Sequence, residues 1–142
     1  MIIDKDKIVE YCNQYSKNTL METLNIEFID AGEGFLVAKM PVNSSVHQPM
    51  GLLHGGASVA LAESVGGAAS RFFINDKEQE VRGIEISANH LRSIREGVVF
   101  GTARIIHKGR ILHLWEIKIT DEAGNLISPC KLTNLVLTKE KK

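Results

Sequence analysis

The chain has 142 residues, 44% of them hydrophobic, which predicts a single domain over residues 1–142 with a full hydrophobic core. Basic and acidic residues number 17 each, so charge gives no reason to expect nucleic acid or an anionic membrane as a partner. A charged N-terminus, no apolar run of membrane length, and cysteines (Cys12 and Cys130) without metal-ligand spacing predict a cytoplasmic protein that lacks a metal site and a disulfide framework.

The pattern of apolar residues predicts one helix and two strands in the first part of the chain, then a central helix and four more strands. Apolar residues at helical spacing among charges predict an amphipathic N-terminal helix, and alternation of apolar and polar residues predicts a hairpin. After the central helix, period-two alternation with short turns predicts an antiparallel meander. The predicted elements are helix 4–17, strands 20–30 and 35–42, loop 43–53, a central helix within 54–73, and strands 81–93, 97–107, 110–121 and 125–138.

The central helix begins in the tightest glycine cluster of the chain. His54, Gly55 and Gly56 leave the backbone with little side-chain cover at the helix start. Amide N–H groups at such a position favour negative charge, whether formal or developing. Glu63 is the one carboxylate in the run of small and apolar residues that follows. We therefore expect a helix that is buried almost all round.

Glu63 shares a helical face with small residues, which allow a ligand or another backbone to come close. The residues on that face are Gly56, Val59, Ala60, Gly66 and Gly67. A carboxylate on a buried helix is costly unless it is hydrogen-bonded, paired or neutralised. The residues alone leave two interpretations open: a glutamate paired in the core or emerging at a helix end, and a catalytic base or nucleophile facing a cleft.

One long apolar helix and about six strands predict an α+β fold in which a curved antiparallel sheet wraps around the helix. A single layer of sheet cannot cover such a helix fully. The face of small residues and an exposed sheet edge therefore favour association between copies of the chain.

Three strings carry a resemblance to a known family: HQPMGLLHGGASVALAES at residues 47–64, ANHLRS at 88–93 and HKGR at 107–110. They resemble hotdog-fold acyl-CoA thioesterases of the subgroup that hydrolyses hydroxybenzoyl-CoA and dihydroxynaphthoyl-CoA, and the resemblance covers nearly the whole chain. It implies hydrolysis of an aromatic or short- to medium-chain acyl-CoA to the free acid and CoA, without a cofactor because CoA is part of the substrate. It also implies a homodimer or homotetramer with active sites at the dimer interface.

The resemblance implies catalytic roles for four residues. Glu63 attacks the thioester carbonyl or activates a water, while Gln48 and the Gly55 N–H polarise that carbonyl and His54 orients the site or the leaving thiolate. His54 and Glu63 are nine residues apart, so a regular helix would place them on opposite sides. They can share a site if His54 lies at or before the first turn, or if a partner subunit supplies Glu63. The resemblance implies the second arrangement, because in this family the glutamate comes from across the dimer interface. Some relatives carry a hydroxyl at position 67, and Gly67 leaves the choice between base and nucleophile open.

Further residues are expected to bind the acyl and CoA parts of the substrate. His90 and Arg92 alternate along a predicted strand, so they should share a face, with His90 near the pantetheine or acyl group and Arg92 towards phosphate. The basic turn Lys108-Gly109-Arg110 suits nucleotide phosphates by charge and geometry. An exposed strand face and an ordinary basic hairpin turn are the alternatives without a ligand.

Two residues of the central helix complete the predicted site. Gly56, like the glycine before it, lets the acyl group approach the backbone, and Ser64 hydrogen-bonds either the acyl group and water or its own helix backbone. Met50, Leu53 and Val59 are expected to form part of the acyl pocket, with residues of the other subunit. Two other functions stay open: a hotdog hydratase or dehydratase of enoyl or hydroxyacyl thioesters, and a non-catalytic acyl-CoA-binding module.

Overall fold

A computed structural model describes residues 4–141 of the chain. Within this range there are three α-helices: α1 (Lys5–Tyr15), α2 (Leu20–Thr23) and α3 (Gly55–Ser70). The six strands are β1 (Glu27–Gly32), β2 (Phe35–Val42), β3 (Gln79–Ala88), β4 (Gly97–Lys108), β5 (Leu112–Thr120) and β6 (Leu126–Thr138). Short 3₁₀ turns lie before and after α3, at Ser44–Val46 and Arg71–Phe73. None of the described helices is long and apolar enough to cross a membrane.

The strands form one antiparallel sheet in the order β1-β2-β4-β5-β6-β3, and α3 packs against β2, β3, β4, β5 and β6. This arrangement confirms the predicted α+β fold with a long helix covered by a six-stranded sheet. The predicted β1–β2 hairpin is also confirmed. The prediction of a four-stranded meander is wrong, because β3 pairs with β6 and β4 pairs with β2. The first strand after α3, β3, therefore lies at an edge of the sheet.

The predicted strand over residues 20–30 is wrong in its first half. Thr19 caps a short helix instead, and its Oγ1 accepts the Met21 N–H at 3.2 Å. Asn25 then adopts a left-handed backbone conformation with φ of 57°, which asparagine tolerates better than most residues. The chain reverses there, and β1 begins only at Glu27.

The third strand is shorter than predicted. It ends at Ala88, and residues 89–96 are irregular although their first part still bonds to β6: the Asn89 N–H donates to Pro129 O at 3.2 Å. His90 and Arg92 thus lie outside a strand, and the argument that alternation places them on one face is wrong. Their positions are instead set by the path of this irregular segment.

One face of α3 is buried against the sheet, and its packing is close. A Cβ on Gly66 would lie 2.5 Å from Leu132 Cδ2, so the helix approaches β6 where it has no side chain. The opposite face is not covered: Gly56 and Glu63 are exposed, and Ala60 is half-buried. The expected burial on all sides is wrong within one chain because a single sheet covers only one side of the helix.

A buried hydrogen-bond network fixes the C-terminal end of α3. Ser70 Oγ accepts N–H bonds from Trp115 Nε1 at 2.7 Å and from Asn134 Nδ2 at 2.8 Å. Its own proton is then available to His113 Nδ1 at 2.9 Å. Burial lowers the pKa of His113, with smaller contributions from Lys108 and a neighbouring histidine, so the ring is held neutral. These bonds join the helix to β5 and β6.

The two edges of the sheet differ. At the β1 edge, Asn13 of α1 forms two bonds with Phe28: its Nδ2 donates to Phe28 O at 3.0 Å and its Oδ1 accepts the Phe28 N–H at 2.8 Å. The outer edge of β3 has no strand partner within residues 4–141, and Ile84 on this strand is 56% exposed. The β3 edge is therefore the one available for pairing.

Candidate active site

The loop before α3 orients Gln48. The Gln48 N–H donates to Leu52 O at 2.8 Å and Gln48 O accepts the Gly51 N–H at 3.0 Å, which closes a tight turn. The side-chain Oε1 of Gln48 accepts the Met50 N–H. Arg95 donates from Nη1 to Met50 O at 3.2 Å and holds the turn from outside. Because Oε1 is engaged, the Nε2 group of Gln48 is the end that remains to donate a hydrogen bond.

His54 caps α3. Its Nδ1 accepts the Gly56 N–H at 2.8 Å, and its carbonyl oxygen accepts the N–H groups of Ala57 and Ser58 at 3.0 and 3.2 Å. Because Nδ1 acts as an acceptor, the ring proton is on Nε2. The Gly55 N–H has no hydrogen-bond partner among the described residues. It is a backbone donor at the positive end of the helix dipole.

The ring of His90 lies against the Cα of Gly55. A Cβ on Gly55 would be 2.6 Å from His90 Nε2, so the ring is close only because residue 55 is glycine. His90 Nδ1 is 3.1 Å from Ser128 Oγ, and the same hydroxyl is 3.1 Å from Asn89 O, which can only accept. Ser128 therefore donates to Asn89 O and accepts from His90 Nδ1, which leaves Nε2 unprotonated. The sequence patterns gave no signal for Ser128.

Three of these residues, Gln48, Gly55 and His90, border one cavity of about 270 Å³, which we call the amide cavity. With Arg92, four predicted site residues line it, whereas His54 does not. Its lining is Gln48, Leu52, Leu53, Gly55, Ser58, His90, Leu91, Arg92, Ser93 and Ile127. Of the predicted acyl-pocket residues, Leu53 belongs to this lining, whereas Met50 is 71% exposed.

Glu63 borders a different cavity of about 420 Å³, which we call the carboxylate cavity. The carboxylate reaches over the backbone of β3: a Cβ on Gly83 would lie 2.9 Å from Glu63 Oε1. Ser64 also lines the cavity, but its Oγ donates to Ala60 O at 2.6 Å, which is the local helix bond that was one of its two predicted roles. Gly67 leaves open space, since a Cβ there would meet nothing within 4 Å.

The two cavities are separated along α3. Gly55 and Glu63 are eight residues apart, which corresponds to about 12 Å along a helix axis. One chain therefore does not bring Glu63 to the carbonyl position marked by Gly55 and Gln48. The basic turn lies elsewhere again: Lys108 Nζ is 4.6 Å from the ring centroid of Phe73, beyond the C-terminal end of α3. Gly109 and Arg110 follow it in the β4–β5 connection, so within one chain the turn borders neither cavity.

The described residues at these sites provide neither a reactive cysteine thiol nor a cluster of metal ligands. Cys12 lines the carboxylate cavity, but burial raises the pKa of its thiol to about 11, against a smaller opposite effect of Arg71. The thiol is thus protonated at neutral pH and is a poor nucleophile. Residues 4–141 contain no group of three or more His, Cys, Asp or Glu side chains that could hold a metal ion.

Comparison with known proteins gives consistent matches. A family model described as Thioesterase superfamily matches residues 50–128. The 1,4-dihydroxy-2-naphthoyl-CoA hydrolase of Escherichia coli K12 is 43% identical over 137 residues, 96% of this chain and 100% of that protein. The proofreading thioesterase EntH of Cronobacter turicensis is 43% identical, over 96% of this chain and 99% of that protein. A crystal structure of a mutant thioesterase from Pseudomonas aeruginosa has a TM-score of 0.90 and 41% identity, over 92% of this chain and 94% of that one.

Proposed function

The chain belongs to the thioesterase superfamily and is a thioester hydrolase with a hotdog fold, and from this premise we propose that it hydrolyses acyl-CoA thioesters to the free acid and CoA. The acyl group is aromatic or of short to medium length. The observation that carries the proposal is the pair of free donors, the Gly55 N–H and Gln48 Nε2, at one cavity. The name of the Escherichia coli relative, an acyl-CoA hydrolase, supports it.

In the proposed reaction, the two donors bind the carbonyl oxygen of the thioester. Negative charge develops on this oxygen as the carbon becomes tetrahedral, and donors fixed by the turn and the helix stabilise it without reorganising. The Glu63 carboxylate either attacks the carbonyl carbon, giving an anhydride that water then hydrolyses, or takes a proton from the attacking water. Collapse of the tetrahedral species breaks the C–S bond, and the His54 Nε2–H is a donor for the departing thiolate. Water is the only other reactant, so no cofactor is required.

Glu63 is proposed to act on the substrate bound by a partner subunit. Its carboxylate lies over Gly83 in the first half of β3, whereas His90 of the amide cavity follows directly after the end of the same strand. If two copies pair through their β3 edges in antiparallel orientation, the end of one β3 meets the beginning of the other. The amide cavity of one subunit then faces the Glu63 side of its partner, as the separation of about 12 Å along α3 requires. The assembly is a homodimer, or a homotetramer built from two such dimers.

The first test compares reaction types and acyl groups with the purified full-length protein. We expect thiol release from benzoyl-CoA or short- to medium-chain acyl-CoA, with kcat/KM values in the ordinary enzyme range above about 10⁴ M⁻¹s⁻¹ for the preferred substrate. Crotonyl-CoA is assayed in parallel for hydration, and acyl-carrier-protein thioesters are included. Hydration without thiol release would identify a hydratase, and tight binding without either reaction would identify a binding module.

The second test addresses the shared site through mixed dimers. Glu63→Gln and Gln48→Ala subunits are coexpressed with two different tags and purified on both, so that each dimer carries one subunit of each kind. One of its two sites then has both groups intact, and we expect roughly half of wild-type activity although each variant alone is nearly inactive. Mixed dimers as inactive as the two homodimers would show that Glu63 serves its own chain.

A further inference from the structure

The carboxylate cavity extends along α3 well beyond Glu63. Gly67 and Arg71 follow at intervals of four residues, so all three border one face of the helix and its 3₁₀ extension. The step from Glu63 to Arg71 is about 12 Å along the axis. Tyr11 and Tyr15 of α1 line the same space. An acyl group attacked near Glu63 would therefore extend towards the Arg71 side chain between aromatic walls.

Arg71 is held in place without a negatively charged partner. Its Nη2 donates to the Tyr11 hydroxyl at 3.1 Å, and its Cζ lies 4.1 Å from the ring centroid of Tyr15. Its Nε is buried and has no hydrogen-bond partner, and within residues 4–141 no carboxylate oxygen is within 4.0 Å of its nitrogens. Because Nε is closed to solvent, a ligand in the cavity would meet the guanidinium through Nη1 and Nη2, which carry four N–H donors, one of them used by Tyr11.

The acidic residues that line the cavity do not pair with Arg71. Glu80 is paired with Arg82, whose Nη2 is 2.9 Å from Glu80 Oε1. Asp76 also lines the cavity, where its backbone carbonyl accepts a bond from Lys139. Glu63 is the carboxylate proposed to act in the reaction itself. Two cations line the cavity: Lys139 donates to the Asp76 carbonyl, whereas Arg71 has no acceptor other than the Tyr11 hydroxyl among residues 4–141.

We propose that Arg71 binds a carboxylate at the end of the acyl group remote from the thioester, so that the preferred substrates are CoA thioesters of dicarboxylic acids. This inference rests on the proposed function. A guanidinium recognises carboxylate with two parallel N–H bonds, and its stacking on Tyr15 fixes the plane of that fork. Glu63 and Arg71 are about 12 Å apart along the helix axis and line the same cavity, so one acyl group can have its thioester near Glu63 and its far end near Arg71.

The test measures thiol release by the full-length enzyme from 4-carboxybenzoyl-CoA and 4-methylbenzoyl-CoA, which have nearly the same shape and differ in charge. For wild type we expect kcat/KM to be at least about tenfold higher for the carboxylated substrate. Arg71→Met should abolish this preference by lowering only the carboxylated rate, and Arg71→Lys should keep part of it. Arg104→Met is the matched control, because Arg104 also lies over an aromatic ring, that of Phe35 at 5.2 Å, but does not line the cavity.

Equal kcat/KM values for the two substrates in wild type would overturn the inference, as would an Arg71→Met variant that loses both activities equally. Thiol release neither from these two substrates nor from the benzoyl-CoA and short- to medium-chain acyl-CoA panel would instead contradict the proposed function. In that case calorimetry decides about Arg71, since benzene-1,4-dicarboxylate should bind wild type at least about tenfold more tightly than 4-methylbenzoate does. If Arg71→Met does not fold, the wild-type comparison and Arg71→Lys still give the answer.

Discussion

Glu63→Gln is expected to lower kcat for thiol release by at least about 10³-fold, while binding of the acyl-CoA changes by no more than a few-fold. Glutamine keeps the size of the side chain but can neither attack the carbonyl as an anion nor accept a proton from water. Glu63 is exposed in the single chain and makes no side-chain hydrogen bond within residues 4–141, so the change breaks no structural contact. The decrease in kcat would therefore measure the stabilisation of the transition state that Glu63 provides.

The measurement is steady-state thiol release together with calorimetric binding of a non-hydrolysable acyl-CoA analogue. Glu116→Gln provides the control, since Glu116 is a carboxylate on β5 whose partner, Lys118 at 3.6 Å, is a surface residue. The control should retain wild-type kcat. A Glu63→Gln enzyme with undiminished kcat would exclude both proposed roles of the carboxylate.

Gly55→Ala is expected to reduce kcat/KM by about 10²- to 10³-fold, as loss of one oxyanion donor does, because the added methyl group crowds the approach to an N–H that alanine itself keeps. The new Cβ would lie 2.6 and 2.8 Å from Nε2 and Cδ2 of His90, so the ring must move and the space in front of the Gly55 amide changes. Residue 55 has no positive φ, so alanine itself fits the backbone. Activity should fall without a matching loss of stability.

Thermal unfolding separates a loss of activity from a loss of stability. Gly67→Ala shows what alanine does to the stability of α3, because its Cβ would meet nothing within 4 Å and helical alanine is favoured over glycine by up to about 1 kcal/mol. The melting temperature of Gly55→Ala should stay within a few degrees of wild type. Full activity in Gly55→Ala would mean that the carbonyl oxygen does not approach this amide.

Local signals were sufficient for much of the fold. The glycines after His54 placed the start of α3 correctly, and period-two alternation identified four of the six strands to within about two residues at each end. Alternation does not say which strands are neighbours, and for that reason the sequence misplaced β3 at the start of a meander. The short helix α2 was missed because its apolar spacing over four residues also fits a strand.

The candidate site was predictable as a set of residues but not as a geometry. Gln48, Gly55 and His90 line one cavity, and the catalytic and binding roles that the resemblance implies for them stay predictions. The bond from His90 to Ser128 joins residues 38 positions apart, and the stacking of Arg71 on Tyr15 joins two helices. Such contacts follow from the packing of distant elements, so no motif or spacing indicates them. The separate positions of the two cavities likewise become visible only in three dimensions.

The two bonds between Asn13 and Phe28 bear on how further copies of this chain could add to its sheet. A sheet with two open edges can add copies without limit, as fibrils do. Here the N–H and carbonyl of Phe28 at the β1 edge are already bonded to an asparagine of the same chain, whereas β3 has no strand partner within residues 4–141. If two molecules pair through β3 as proposed, further strand addition would have to take place at β1, where the Asn13 side chain competes for the Phe28 backbone.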